Sequence, residues 1–287
     1  MRGDRGLTLV ELVIATAIMV ALIAAVMTVL HDGLVRTPLL EEATDLHQRA
    51  RVVADVLEAD LRAAGSGTAS GPLTVLFPGI EPRAPGGAAG SARADAVTIR
   101  YIPAHAARSR LAEPLDPAAA SAVIGMAGCP HQTTACGFTA GSSVLVFDTS
   151  GQRDAFRVDA IATGTLAISA PVPRGVTYPA GAELAEATEV SYTLHAPTRE
   201  LRRTEGGGTF AVVDHVESLA FEYVGDSGAD LPLSIFQDGP FRAVGDQMFD
   251  TDLLGIRAVR VTIRLASGSN RVPGGTTRIT VALRNGM

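Results

Sequence analysis

The sequence GLTLVELVIATAIMVALIAAVMTVL, which runs from Gly6 to Leu30, decides how the rest of the chain is organised. It follows a short charged leader, and no residue between Leu12 and Leu30 carries a charge. An α-helix needs roughly 20 such residues to cross the hydrocarbon core of a bilayer. One carboxylate, that of Glu11, lies just inside the start of the run, where an acidic side chain is costly and points to a function. The sequence therefore predicts a membrane-spanning helix over about residues 7–30.

Two simpler interpretations of this segment compete with a functional membrane helix. A cleaved secretory signal has an apolar run of about 7–15 residues and then a site of small residues, whereas this run is longer and continues into helical sequence. A plain signal anchor on a periplasmic enzyme fits the length, but it does not account for Gly6 or for Glu11.

The motif around the start of the apolar run, RGLTLVELV at residues 5–13, resembles the class III signal of type IV prepilins and type II secretion pseudopilins. In that family a membrane peptidase cuts after the glycine and methylates the new N-terminus. The resemblance therefore implies cleavage after Gly6 and methylation of Leu7, although the usual first residue of the family is Phe. It also implies that Glu11, the fifth residue after cleavage, meets the N-terminus of a neighbouring subunit and sets the stagger between subunits.

Composition excludes several classes of protein. The net charge is −6, every basic residue is Arg, and Trp is absent, so a basic surface for nucleic acid is not expected. Arg2 and Arg5 precede the span, which by the positive-inside tendency keeps the N-terminus in the cytoplasm and the chain from His31 onward in the periplasm. No metalloprotease motif or nucleophile elbow is present. We therefore expect no catalytic residues, no metal and no cofactor.

Three local patterns carry weaker expectations. Cys129 and Cys136 can close a small loop in an oxidising compartment, which favours a disulfide; the alternative is a zinc site with His131 between them, at an unfamiliar spacing. The stretch Gly206–Gly208 predicts a hairpin turn. A loop that contains Asp246, Asp250 and Asp252, alone or with Asp226, Asp230 or Asp238, could hold calcium, but its spacing matches no known calcium loop.

A second helical pattern follows the apolar run. Apolar residues recur at steps of three and four, at Leu39, Ala43, Leu46, Ala50, Val53, Leu57 and Leu61. Gly65 is a plausible end of this helix, and Pro38 predicts a kink or a break near residues 33–38. The first 60 or so residues therefore predict a long helix with a membrane half and an amphipathic half.

The sequence after residue 66 changes to a period of two, which indicates antiparallel strands with one wet face. Expected strands cover 73–77, 96–102, 143–148, 155–161, 165–169, 189–195, 200–203, 210–213, 218–224, 256–265 and 278–284. Residues 104–127 and 226–254 are expected to be irregular, with a short helix in the second. The predicted fold class is α+β, in which a long N-terminal helix packs on a globular head of antiparallel sheet. The predicted divisions are a leader at 1–6, the helix at 7–65 and the head at 66–287.

The order of the downstream motifs resembles one branch of the prepilin group, the PilW-like minor pilins. The motifs are DLRAAG at 60–65, VSYTL at 190–194, ELRR at 200–203, VESLAFEY at 216–223, and residues 256–265 and 283–285. This resemblance implies a pilin-like fold and a minor pilin that joins or primes a type IV pilus. It implies a prepilin peptidase, other minor pilins, the major pilin and the inner membrane as partners. The alternatives are a J-class pseudopilin of type II secretion and a pilus-tip adhesin or other binding module.

Overall fold

One long α-helix, α1 (Leu9–Ala63), comes first in the computed structural model, and the described β-strands follow it in the chain. The structure describes residues 9–67, 79–84, 92–129, 134–148, 153–168, 177–236, 253, 255–268 and 272–283. At about 1.5 Å per residue, α1 is roughly 80 Å long. The leader and Leu7 lie outside the described residues.

The predicted break at Pro38 does not occur, because α1 continues through it. Proline removes the donor to the carbonyl of the residue four positions earlier, here Leu34. Leu34 lies on an exposed stretch of the helix, where water can bond that carbonyl, so the helix tolerates the loss. The Thr37 hydroxyl also donates to the Gly33 carbonyl at 2.8 Å.

The C-terminal end of α1 is fixed by backbone bonds to the sheet. Gly65 has a φ of 67°, a left-handed conformation that glycine adopts without strain and that ends helices, as predicted. Its N–H donates to the Arg100 carbonyl at 2.8 Å, and the Ile102 N–H donates to the Ser66 carbonyl at 2.9 Å. These two backbone hydrogen bonds fix the end of the helix to the strand that ends at Tyr101, and we call them the backbone clasp.

Fourteen strands follow the helix within the part of the chain that the structure describes. They are β1 (Ile80–Glu81), β2 (Ala96–Tyr101), β3 (Arg108–Arg110), β4 (Ser121–Val123), β5 (Ser143–Phe147), β6 (Arg153–Ala162), β7 (Thr165–Ile168), β8 (Glu183–His195), β9 (Glu200–Glu205), β10 (Gly208–Val213), β11 (Val216–Val224), β12 (Asp230–Leu231), β13 (Ala258–Leu265) and β14 (Gly275–Ala282). A 3₁₀ helix, Leu233–Phe236, follows β12.

Most of the expected strands are present, but several differ in position. The expected irregular segment 226–254 contains the short strand β12. The expected irregular segment 104–127 contains the short strands β3 and β4, which are too short to show a period of two. Strand β8 begins at Glu183, six residues before its expected start at 189. The expected strand at 73–77 lies outside the described residues. The 3₁₀ helix confirms the short helix expected within 226–254.

The described strands form two antiparallel sheets. The larger has the order β1-β2-β8-β5-β6-β7-β4, and β3, β9 and β10 join it through β8. The smaller has the order β12-β11-β13-β14. The predicted α+β class is therefore correct at this level.

Strand β8 divides the head into two lobes, because its two halves have different partners. Residues 188–195 pair with β2 and β9, whereas residues 183–187 pair with β5 and, in part, with β3. We call residues 103–187 the distal lobe. The rest of the described head, which contains β1, β2, the second half of β8 and β9–β14, is the proximal lobe.

Each lobe has its own apolar core. The proximal core joins α1 to both sheets. It contains Leu46, Val53, Leu57 and Leu61 of the helix, Ala64 just after it, and strand residues such as Val97, Ile99, Val190, Phe221, Val259 and Val261. The distal core contains Leu111, Leu115, Phe138, Val144, Val146, Phe156, Val158, Leu166 and Tyr178, and no residue of α1. Within the described ranges, apolar packing therefore holds the helix through the proximal lobe alone.

A matched pair of leucines on α1 tests this packing. Leu57 is 0% exposed and Leu40 is 67% exposed. We expect Leu57→Ala to lower the free energy of unfolding by about 2–5 kcal/mol, because it leaves a cavity in the proximal core. Leu40→Ala should change it by less than about 0.5 kcal/mol. Urea unfolding of the full chain in detergent measures both, and equal losses would contradict the assigned helix face.

Candidate functional site: the exposed half of the helix and its junction with the head

The N-terminal half of α1 presents apolar side chains to its surroundings on every face. The segment Leu9–His31 is 23 residues long, and none of its most apolar window is buried within the protein. Exposed side chains along it include Leu9, Val10, Leu12, Val13, Ile14, Ile18, Met19, Leu22, Ile23, Val26, Met27 and Leu30. A water-soluble protein rarely exposes an apolar surface of this extent. By length and composition, the segment can serve as a membrane anchor or a signal sequence.

The two hydroxyl groups in this half are bonded within the helix. Thr16 donates to the carbonyl of Leu12 or Val13, at 3.0 and 2.9 Å, and Thr28 donates to the Ala24 carbonyl at 2.9 Å. These side chains therefore need no polar partner from outside. Glu11 is left as the one charged residue between Leu9 and Leu30, and it lies in the first turn of α1, where the helix dipole favours an anion.

Contact with the head begins abruptly along α1. Leu39 and Leu40 are exposed, whereas Leu46 is buried against the proximal lobe. The expected apolar stripe therefore packs on the head from about Leu46 onward, but Leu39 does not take part. The helix from Leu9 to Glu41 projects from the head.

A polar cluster fixes the far end of the docked helix to two strands. The Tyr192 hydroxyl, on β8, donates to Asp60 Oδ2 at 2.5 Å, and Arg203 Nε, on β9, donates to the same oxygen at 2.8 Å. Arg203 also pairs with Glu205 at 2.5 Å. The carboxylate of Asp60 is therefore hydrogen-bonded to both strands. These bonds are directional and orient the helix on the sheet, which apolar packing by itself does not do.

Burial and these bonds shift the protonation of the cluster. Burial, together with the bond to Asp60, raises the pKa of Tyr192, and the bond to Asp60 raises the pKa of Arg203. Tyr192 therefore stays a neutral donor and Arg203 stays a cation. The cluster is a structural clamp.

A second set of contacts lies near the start of the docked half. Ser267 donates its hydroxyl to Glu42. Arg49 pairs with Asp45 at 2.6 Å and with Asp214 at 3.4 Å. The docked half of α1 is therefore held by polar contacts at both ends.

A buried ion cluster supports the outer face of β2. Glu81 is buried and bonds both Arg83, at 2.6 Å, and Arg100. Arg100 also pairs with Glu189 at 2.6 Å, and its carboxylate partners raise the pKa of Arg100 against the opposing effect of burial. Sequence reasoning missed this cluster and the Asp60 clamp, because most of their partners are far apart in sequence and no local pattern marks them.

Cys129 and Cys136 form a disulfide bond, as expected, with their Cα atoms 5.0 Å apart. Cys136 is buried in the distal core. Disulfide sulfurs do not provide the thiolates that zinc requires, so the zinc alternative does not apply to this state. His131 lies outside the described residues.

The remaining expectations concern metal binding and the hairpin turn. Among the described residues no group of three His, Cys, Asp or Glu side chains could hold a metal ion, and Asp238, Asp246, Asp250 and Asp252 lie outside them. The predicted hairpin turn is present, since β9 and β10 are joined at Gly206 and Gly207, both with positive φ, as tight hairpins favour. A polar cleft of about 380 Å³ lies beside this turn.

No protein-family model matches the chain, and no curated protein matches it. The resemblance to prepilins therefore stands on the residues quoted above.

The Asp60 clamp makes a testable prediction. Asp60→Asn keeps the shape of the side chain but removes the charge that Arg203 pairs with, so we expect the free energy of unfolding to fall by about 1.5–3 kcal/mol. The control is Asp55→Asn, whose carboxylate is 67% exposed and 3.7 Å from Arg51 and should matter by less than about 0.5 kcal/mol. Chemical denaturation of the two variants measures the difference, and equal stabilities would show that the clamp contributes nothing.

Proposed function

We propose that this protein is a minor pilin, a structural subunit that primes or joins the assembly of a type IV pilus. The main support for this proposal is that α1 consists of two unlike halves. Its first half is apolar all round, long enough to span a bilayer and free of head contacts, and its second half holds a β-rich head. Glu11, which lies in the first turn of α1 and within the motif at residues 5–13, supplies the second feature of the family.

In the first step of the proposed mechanism, the apolar half anchors the subunit in the inner membrane with the head in the periplasm. A lipid environment removes the exposed apolar surface of Leu9–His31 from water. Thr16 and Thr28 add little cost there, because their hydroxyls are bonded to helix carbonyls. The head stays outside because its surface is charged.

In the second step, a prepilin peptidase cuts after Gly6 and methylates Leu7. Removal of the leader takes Arg2, Asp4 and Arg5 away from the helix. The apolar half can then move out of lipid along its own axis, because no charged leader has to cross the hydrocarbon core.

In the third step, the apolar half packs into a bundle with the helices of other minor pilins and the major pilin. Apolar packing replaces lipid contacts at little net cost, since both environments are dry. A cation from a neighbouring subunit would stabilise the carboxylate of Glu11 in such a bundle, because a buried ion pair can specify register. The methylated N-terminus of a neighbour is a cation at the right end of the helix, so the pair fixes the stagger between subunits.

Substitution of Glu11 tests the proposal. We expect Glu11→Ala to remain in the membrane fraction, because its helix is more apolar than that of the wild type, but to enter sheared filaments at least about tenfold less because the register pair is lost. The control is Glu41→Ala, which removes an exposed carboxylate from the same helix outside the span. Quantitative immunoblotting of the membrane and filament fractions measures both variants. Normal incorporation of Glu11→Ala would overturn the proposed role of this residue.

A further inference from the structure

We propose that assembly is carried by α1 and the proximal lobe, and that the distal lobe is a separate folding unit whose integrity incorporation does not require. This inference rests on the proposed function, and it deepens it by dividing the head into a part that assembles and a part that does not. Three observations support it.

The first observation is the separation of the cores. Every helix residue buried in the head belongs to the proximal core. The distal core is built from strands β4–β7, the first half of β8 and the segments around Leu111, Phe138 and Tyr178. A domain is defined by such a core of its own. Loss of distal packing therefore leaves the contacts between α1 and the sheets intact.

The second observation is the way in which the chain enters and leaves the distal lobe. Tyr101 and Thr188 are register partners in the β2–β8 pair, so the distal lobe begins and ends at adjacent positions on one sheet. An element inserted at such a point can unfold without pulling its two attachment points apart. The β2–β8 pair therefore completes this part of the proximal lobe without any strand of the distal lobe.

The third observation is the narrow connection between the lobes. Along β8, strand β5 begins opposite Ala187, whereas strand β9 ends opposite Val190. The polar cleft of about 380 Å³ lies in this gap and is lined by Ser143, Glu186, Glu189 and Glu205, among others. Apolar surfaces that packed against each other would have closed such a cleft.

Among the described residues, a few contacts do cross between the lobes, and the Arg157 guanidinium also lies near Gly207. Ile102 belongs to a small third apolar cluster with Leu145 and Phe147 of the distal sheet, and Arg108 donates to the Gly67 carbonyl at 3.1 Å. These contacts are few compared with either core. The disulfide, by contrast, lies within the distal lobe at both ends, so the constraint it places on the unfolded chain acts on that lobe.

A matched pair of core valines tests the inference in the full chain. Val158 in the distal core and Val259 in the proximal core are both 0% exposed. We expect calorimetry of the detergent-solubilised protein to show two unfolding transitions. Val158→Ala should lower the midpoint of one transition by at least about 5 °C and Val259→Ala that of the other.

Incorporation into filaments provides the second readout. We expect Val158→Ala to enter filaments within about twofold of the wild type, and Val259→Ala to enter them several-fold less, because only the second weakens the hold on α1. Replacing both cysteines, by Cys129→Ser and Cys136→Ser, should shift the same transition as Val158→Ala and leave incorporation unchanged.

Three results would overturn the inference. They are a single transition that both valine substitutions shift equally, a loss of incorporation in Val158→Ala as large as that in Val259→Ala, or a shift of the Val259 transition when the cysteines are replaced. Failure of the wild-type chain to enter any filament would instead count against the proposed function. The calorimetric result separates the two cases because it needs no filament.

Discussion

Burial along α1 changes between Leu40 and Leu46, and the rest of the structure depends on this change. On the C-terminal side of this change, the proximal lobe covers one face of the helix, and hydrogen bonds hold the helix to the sheets of that lobe. On the N-terminal side of it, none of the most apolar window of Leu9–His31 is buried within the protein, so this segment exposes a continuous apolar surface. Because the hydrophobic effect scales with the area removed from water, that surface requires another apolar environment, in lipid or among other helices.

The two halves of the helix are stabilised in different ways. In the docked half, apolar packing provides most of the stabilisation and is non-directional, whereas the Asp60 clamp and the backbone clasp at Gly65 add direction. In the projecting half, hydroxyls are bonded within the helix and Glu11 is the exception among otherwise apolar side chains. A lone acid at the first turn of an apolar helix is costly as an anchor and useful as a register mark in a bundle. This contrast is the physical reason for preferring an assembly subunit to a simple membrane anchor.

Sequence reasoning succeeded where the determining interactions are local. The apolar run, the stripe through Val53 and Leu57, the end at Gly65 and the turn at Gly206–Gly207 are set by neighbours within a few positions, and the strand through Val259 and Val261 shows the clearest alternation. Of the kink or break expected near Pro38, the break does not occur, because exposure of the helix made one lost bond tolerable. Strands β3 and β4 are too short to carry a period. The Asp60–Arg203 pair and the division of β8 between two lobes depend on residues distant in sequence, so no local pattern could have shown them.

The most direct test of the account is the chemical state of the N-terminus. The chain contains no lysine, so its α-amine, whether free or already carrying one methyl group, is the one amine that reductive labelling with isotopic formaldehyde can modify. Intact and peptide mass spectrometry of protein from the membrane and from sheared filaments then identifies the first residue and counts its existing methyl groups. The account predicts that the filament form begins at Leu7 and carries one methyl group before labelling. A chain that begins at Met1, or beyond Leu30, would contradict it.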